Sequence, residues 1–223
     1  LRVLKEKMVD GVLYMSSSLE MEILELIKEL DLKTVLVVTS DKEKTFPSVS
    51  IDNREAAYDA TMSLLAKGNK KIAYIGVHKD EVNAAAVRYL GYEDALKEMG
   101  LEVDENLVYF GELKAREGYE GVNKILEKGT FDALFCASDE IAMGAINALR
   151  EKNIKVPEDV DVIGFDNIYS ASIFYPKLTT VAVPMYDMGS VGMRMLIKII
   201  NNKELEEKNY ILPYEIIERD STK

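Results

Sequence analysis

A single cysteine, a single histidine and no tryptophan occur in these 223 residues. One thiol excludes a disulfide framework. Cys136 lies inside the apolar run Phe131 to Ala137, where a thiol reads as buried and inert. With His78 as the sole imidazole, no zinc-type cluster can form, and neither a metal nor another cofactor is expected. A Ser-His-Asp triad would have to use His78, and no GxSxG elbow occurs. His78 itself reads as an exposed loop residue. No GxGxxG or GxxxxGK fingerprint follows any apolar run, which argues against a dinucleotide or nucleoside-triphosphate enzyme. Nothing approaches the length of a membrane span, and no signal-peptide pattern opens the chain. Cations are outnumbered, 28 Lys and Arg against 39 Asp and Glu, for a net charge of −11. Such a surface does not hold DNA, whose phosphates need a basic face. If the protein regulates genes, its DNA-binding part lies outside these residues.

What is present is a core. Hydrophobic residues make up 48% of the chain, enough for one large or two small α/β units. The stretch Phe131 to Asn167 sets the pattern. A short apolar run ends at Ala137. Ser138, Asp139 and Glu140 supply cap and first-turn residues, and Ile141, Met143, Ala145, Ile146 and Leu149 recur at helical spacing. Pro157 stops that helix, and a second apolar run, Val160 to Phe165, ends in Asp166 and Asn167.

The same alternation runs through the chain. Val9–Met15, Thr34–Val38, Ser48–Ile51, Lys71–Gly76, Leu107–Gly111, Leu178–Val183 and Tyr210–Glu218 read as strands. Leu19–Leu30 (capped by Ser18), Arg54–Ala66, Ala84–Met99, Ala115–Lys128 and Met188–Ile200 read as helices, several closed by glycine. Leu1–Lys7 is helical in character, the tail of an element that begins earlier. No compositional linker divides the chain. The fold class is α/β, a parallel doubly wound architecture with right-handed crossovers. In such sheets ligands bind at the carboxyl ends of strands, where Asp52, Ser138, Asp139 and Asp166 all stand.

Several segments together resemble the effector-binding core of the LacI/GalR family of bacterial transcription regulators. They are VSIDN (Val49–Asn53), KGNKKIAYIG (Lys67–Gly76), RYLGYEDALKEMGL (Arg88–Leu101), FCASDEIAMGA (Phe135–Ala145), VPEDVDVIGFDN (Val156–Asn167), LTTVAVPMYDMG (Leu178–Gly189) and the closing STK. The resemblance implies a fold similar to type I periplasmic sugar-binding proteins, with two subdomains flanking a cleft. Carried onto this sequence it puts 1–77 with 184–205 in one subdomain and 78–183 with 206–223 in the other. It also implies a further strand and helix, and a helix-turn-helix head for operator DNA, ahead of Leu1. A cytoplasmic homodimer is implied.

The resemblance further implies a cleft lined by Asp52, Arg88, Ser138, Asp139, Asp166, Met185 and Tyr186, binding a sugar or sugar-derived effector. Asp52 reads equally well as a helix cap, and Met185 and Tyr186 as hinge packing. Arg88 stands three residues before Gly91, the family's spacing for a cleft arginine. The family often carries Asn where Ser138 stands. The apolar excursion Ile168–Lys177, with Tyr169, Ile173, Phe174, Tyr175 and Lys177, reads as an interface. One branch of the family, resembled by PMYDMG and LPYEIIERDSTK, also meets the phosphocarrier HPr phosphorylated on serine. The arginine expected before Pro176 is Tyr175 here. That leaves Lys177, Arg54 or a residue outside this chain to pair with the phosphoserine. An importer's sugar-binding protein is the alternative implied by the same fold. Nothing in these residues requires catalysis.

Overall fold

Strand and helix alternate along the chain as the apolar periodicity predicts. The computed structural model describes residues 1–41, 43–81 and 83–223. In chain order the elements begin with α1 (Arg2–Glu6), β1 (Val12–Met15), α2 (Met21–Glu29), β2 (Thr34–Val37) and β3 (Ser48–Ser50). There follow α3 (Asn53–Ala66), β4 (Ile72–Gly76), α4 (Ala86–Glu98), β5 (Val108–Phe110), α5 (Ala115–Leu126) and β6 (Ala133–Cys136). The chain ends with α6 (Asp139–Glu151), β7 (Asp161–Asp166), β8 (Thr179–Ala182), α7 (Met185–Ile200), β9 (Asn209–Ile211) and β10 (Glu215–Ile217).

The chain forms two units. The first comprises Leu1–Asp52, Val82–Ala84 and Pro184–Pro213. Its sheet has the order β1-β2-β3-β9, parallel throughout. β2 reads TVLV and is buried at every position, the signature of a parallel strand covered on both faces. On α7, Met188, Gly192, Met195 and Leu196 are buried, an i, i+4, i+7, i+8 stripe turned to the sheet. Gly192 allows the close approach: a Cβ there would stand 2.9 Å from Leu13 and Val37 side-chain carbons.

The second unit comprises Asn53–Glu81, Ala85–Val183 and Tyr214–Lys223. Its sheet runs β10-β8-β7-β6-β4-β5. Every pairing is parallel except β10 with β8. Gly68 and Gly100 follow α3 and α4 at φ of 94° and 70°, the left-handed conformation that ends helices. Phe135, Phe165, Leu134, Ile163, Ile141 and Ile146 are among the buried side chains between sheet and helices. Each such burial contributes roughly 1.5–3 kcal/mol.

Five expectations need correction. Residues 53–77 belong to the second unit, because β4 pairs with β6 and β5. Residues 206–213 belong to the first, because β9 pairs with β3. The expected strand Tyr210–Glu218 is two strands in two sheets. Pro213 interrupts it, since proline cannot donate to a ladder. Helix α7 begins at Met185 rather than Met188, with Pro184 at its cap. Ser18 does not cap α2, whose N-cap is Glu20 without a side-chain bond.

Candidate functional site

The second unit's sheet changes winding direction between β4 and β6. From β4 the chain passes outward to β5, and from β6 it passes the other way to β7 and β8. Loops part at such a switch point, and the carboxyl ends of the flanking strands line the opening. The residues gathered there come from four elements.

Arg88 lies in the first turn of α4 and is 5% exposed. Gly91, on the same helix face, lets α4 press against α3, since a Cβ there would overlap the carbonyl of Arg54. That approach brings Arg88 to the start of α3, where its Nε donates to Asn53 Oδ1 at 2.9 Å. Its Nη1 donates to the carbonyl of Ala137, just past β6, at 2.5 Å. Its Nη2 lies 3.4 Å from Asp166 Oδ1, at the end of β7. The Phe165 ring lies 3.6 Å beneath the guanidinium carbon, a cation–π contact in a desolvated place. Arg88 is therefore built into the wall, with part of its donor fork left over.

Asp166 retains 24% of its side-chain exposure, so a solute can reach it. Burial pushes its carboxyl above the usual range, against the pull of Arg88. Burial also lowers Arg88, against the pull of Asp166. Breaking a buried pair by removing one partner typically costs about 3–5 kcal/mol.

Ser138 and Asp139 are engaged internally. The Ser138 hydroxyl accepts from Ile141 N–H at 3.2 Å, the cap expected from sequence. Asp139 is 0% exposed. Its Oδ1 accepts from Thr180 Oγ1 at 2.5 Å and its Oδ2 from Ile168 N–H at 2.8 Å. Burial pushes its carboxyl up to about 7, opposed by those hydrogen bonds. The structure thus brings Arg88, Ser138, Asp139 and Asp166 together. It places Ser138 and Asp139 as framing residues and pairs buried Arg88 with Asp166, of which only Asp166 is partly open to solvent.

Asp52, Met185 and Tyr186 belong to the first unit. Asp52 follows β3 and is exposed. Met185 and Tyr186 open α7, 41% and 87% exposed. In the excursion between β7 and β8, Tyr169, Ile173 and Tyr175 are exposed by 79%, 64% and 83%. Phe174 is half-buried and Lys177 exposed. Arg54, expected as a possible phosphoserine partner, is already paired with Asp94, at 2.6 and 2.9 Å. Sequence reasoning missed Asn53, Thr180, Asn167 and Arg219. Asn53 and Asn167 close the VSIDN and GFDN segments, which was the available signal. Thr180 and Arg219 also lie in quoted segments, LTTVAVPMYDMG and LPYEIIERDSTK, but no local pattern marked them as site residues.

The Cys136 thiol is buried and pushed well above its ordinary value by burial. His78 stands on a loop, 3.3 Å from Asp80. Among the described residues no activated nucleophile faces the Arg88–Asp166 pair, which offers hydrogen-bond acceptors and residual guanidinium donors.

Comparison with known proteins identifies the family and the fold. Residues 61–222 match the model for a periplasmic binding protein-like domain. The chain is 60% identical over 223 residues to the HTH-type transcriptional regulator RegA of Clostridium saccharobutylicum, covering all of this chain and 67% of that protein. The crystal structure of the transcription regulator CcpA of Lactococcus lactis superposes with a TM-score of 0.93. It is 39% identical, covering 100% of this chain and 81% of that one. A transcriptional regulator CelR in complex with cellobiose gives 0.91 at 31% identity, covering 99% and 68%.

Proposed function

Because the chain belongs to the periplasmic-binding-protein-like family, as an effector-binding core of LacI/GalR-type transcription regulators, we propose that it binds a neutral sugar-like effector at the Arg88–Asp166 pair. The observation that carries this reading is the pair itself. It is a solvent-accessible carboxylate held against a buried guanidinium at a switch point of the sheet. The cation is already neutralised, and Asp139 lies beside it. A phosphate brought here would meet carboxylate charge with little free cation to offset it. Sugar hydroxyls, which both donate and accept, fit the acceptors of Asp166 and the remaining donors of Arg88. Ser138, Asp52, Met185 and Tyr186 complete the proposed contact set.

The effector alters DNA affinity by binding two arrangements of the units unequally. In this reading the DNA is operator DNA, held by a head outside these residues in a homodimer, and the regulation concerns carbohydrate use in the cytoplasm. Tyr169, Ile173, Phe174, Tyr175 and Lys177 form an interface. Serine-phosphorylated HPr is a candidate second partner, with Lys177 as its cation now that Arg54 is committed to Asp94. The importer alternative draws no support from relatives that are transcriptional regulators.

The test is a melting-temperature series on the intact regulator with neutral sugars, sugar phosphates, purines and serine-phosphorylated HPr. A ligand at about a hundred times its dissociation constant adds about 2.7 kcal/mol. A rise with a neutral sugar, abolished by Asp166→Ala, is expected. A rise only with sugar phosphates would overturn the neutral-ligand reading.

A further inference from the structure

The turn that carries Asp166 is held by more than its own backbone. Asp166 and Asn167 have φ of 108° and 55° in succession. Such conformations are strained for a residue other than glycine, and persist where the surroundings impose them. Side chains from separate elements do so here. From the start of α6, Asp139 accepts the Ile168 N–H on Oδ2 at 2.8 Å. From β8, Thr180 accepts the Asn167 N–H at 3.3 Å and donates to Asp139 Oδ1 at 2.5 Å. From beyond β10, Arg219 donates through Nη2 to Asn167 Oδ1 and through Nη1 to the Leu178 carbonyl, both at 2.7 Å. The guanidinium thereby ties the start of the 168–177 excursion to its end. Arg219 is itself anchored, its N–H donating to Thr179 Oγ1 at 2.9 Å. Two residues on, the Ser221 hydroxyl is buried between Thr179 N and the Val162 carbonyl, at 2.8 and 2.6 Å.

We infer that Asp139, Thr180 and Arg219 are positioning residues, which hold Asp166 and Asn167 at positive φ so that the Asp166 carboxylate stays against Arg88 and open to a ligand. They act through Asp166 and touch no ligand themselves. The inference rests on Asp166 as an effector contact, and it assigns the chain's closing segment a part in shaping that contact. The fork at position 219 serves the two acceptors from two nitrogens of one rigid plane, a geometry that an ammonium on a flexible stem does not preorganise.

The experiment reads Asp166 from a distance. Its carboxyl titration is followed by carbon NMR in the intact chain, for wild type, Arg219→Met, Arg219→Lys and Asn167→Gly. The charges acting on Asp166 are Arg88 from α4 and Glu140 from α6, with Asp139 alongside. Burial is the largest influence and holds Asp166 high. Loosening the turn hydrates the carboxylate, so its midpoint should fall toward the ordinary value. Simple removal of a cation would raise it instead. Arg219→Lys keeps the charge and loses the fork, so it should fall with Arg219→Met. Asn167→Gly accepts a positive φ and should fold while losing the Arg219 contact, giving the same fall. A midpoint unmoved in folded variants, or raised only by Arg219→Met, overturns the inference. A purely structural Arg219 would lower stability and leave the folded-state titration alone. Binding of cellobiose and glucose to the same variants is measured in parallel. If neither binds wild type, the effector reading is weakened while the titration still decides the clamp.

Discussion

Replacing Asp139 by asparagine should make this protein more stable above neutral pH and remove part of its pH dependence. Asp139 is 0% exposed, and burial pushes its carboxyl from 3.8 to about 7. A carboxyl whose folded value is raised binds its proton more tightly folded than unfolded. Its contribution is therefore full below the unfolded value near 3.8 and is lost as pH rises to about 7. Three units at about 1.36 kcal/mol each give about 4 kcal/mol as the upper size of that loss. The hydrogen bonds from Thr180 and Ile168 oppose the rise. Asparagine keeps the shape and one acceptor for the Ile168 N–H. Its amide can donate to Thr180, whose hydroxyl rotates to accept. The assay is urea unfolding at intervals from pH 4.5 to 8.5, with the wild-type stability subtracted from that of Asp139→Asn at each pH. Subtraction cancels the other carboxylates that titrate in this range. The difference should be near zero or slightly negative at the acid end. It should climb through neutrality to favour the variant by about 2–4 kcal/mol at pH 8.5. A flat difference, or one that falls with pH, refutes the claim that the folded state disfavours ionised Asp139.

Other consequences follow from packing. Gly144 and Gly118 let α5 and α6 cross closely, since a Cβ at Gly144 would overlap the Ala115 carbonyl and one at Gly118 the Ile141 carbonyl. Gly144→Ala should therefore cost about 2–4 kcal/mol despite alanine's better helix propensity. Gly189→Ala, with nothing within 4 Å, should instead add about 0.5–1 kcal/mol; thermal unfolding distinguishes the two signs. The Tyr74 hydroxyl is buried without a hydrogen-bond partner among the described residues. Burial pushes the group above its ordinary range. Tyr74→Phe should raise stability by about 1 kcal/mol in the same assay, and a loss would mean that the hydroxyl has a role in the fold.

The order of elements was readable in the sequence because each strand is a short apolar run and each helix a periodic one. The Ser138 cap was readable because its partner, Ile141, is three residues away. The division into units was not. It depends on which sheet Ile72–Gly76 and Asn209–Ile211 join, and both are apolar strands that would suit either. The split of 210–218 had a visible cue in Pro213, but a one-strand reading overlooked it. Arg88 and Asp166 were legible from segments shared with the family. What holds them was not. Arg219 meets Asn167 across 52 residues, and Thr180 meets Asp139 across 41. No local pattern announces pairings at such separations. Asp139 illustrates the limit well, since an acid following a parallel strand looks like a ligand contact until its burial is known.

The most direct test of the account is calorimetric titration of the intact regulator with the neutral sugar that most raises its melting temperature, comparing wild type with Asp166→Asn. Asparagine keeps the side chain's volume while removing the charge that faces Arg88. The account predicts that affinity falls at least about tenfold, about 1.4 kcal/mol, with the circular dichroism spectrum unchanged. Equal affinity in the two proteins would contradict it, and would place the effector somewhere other than the Arg88–Asp166 pair.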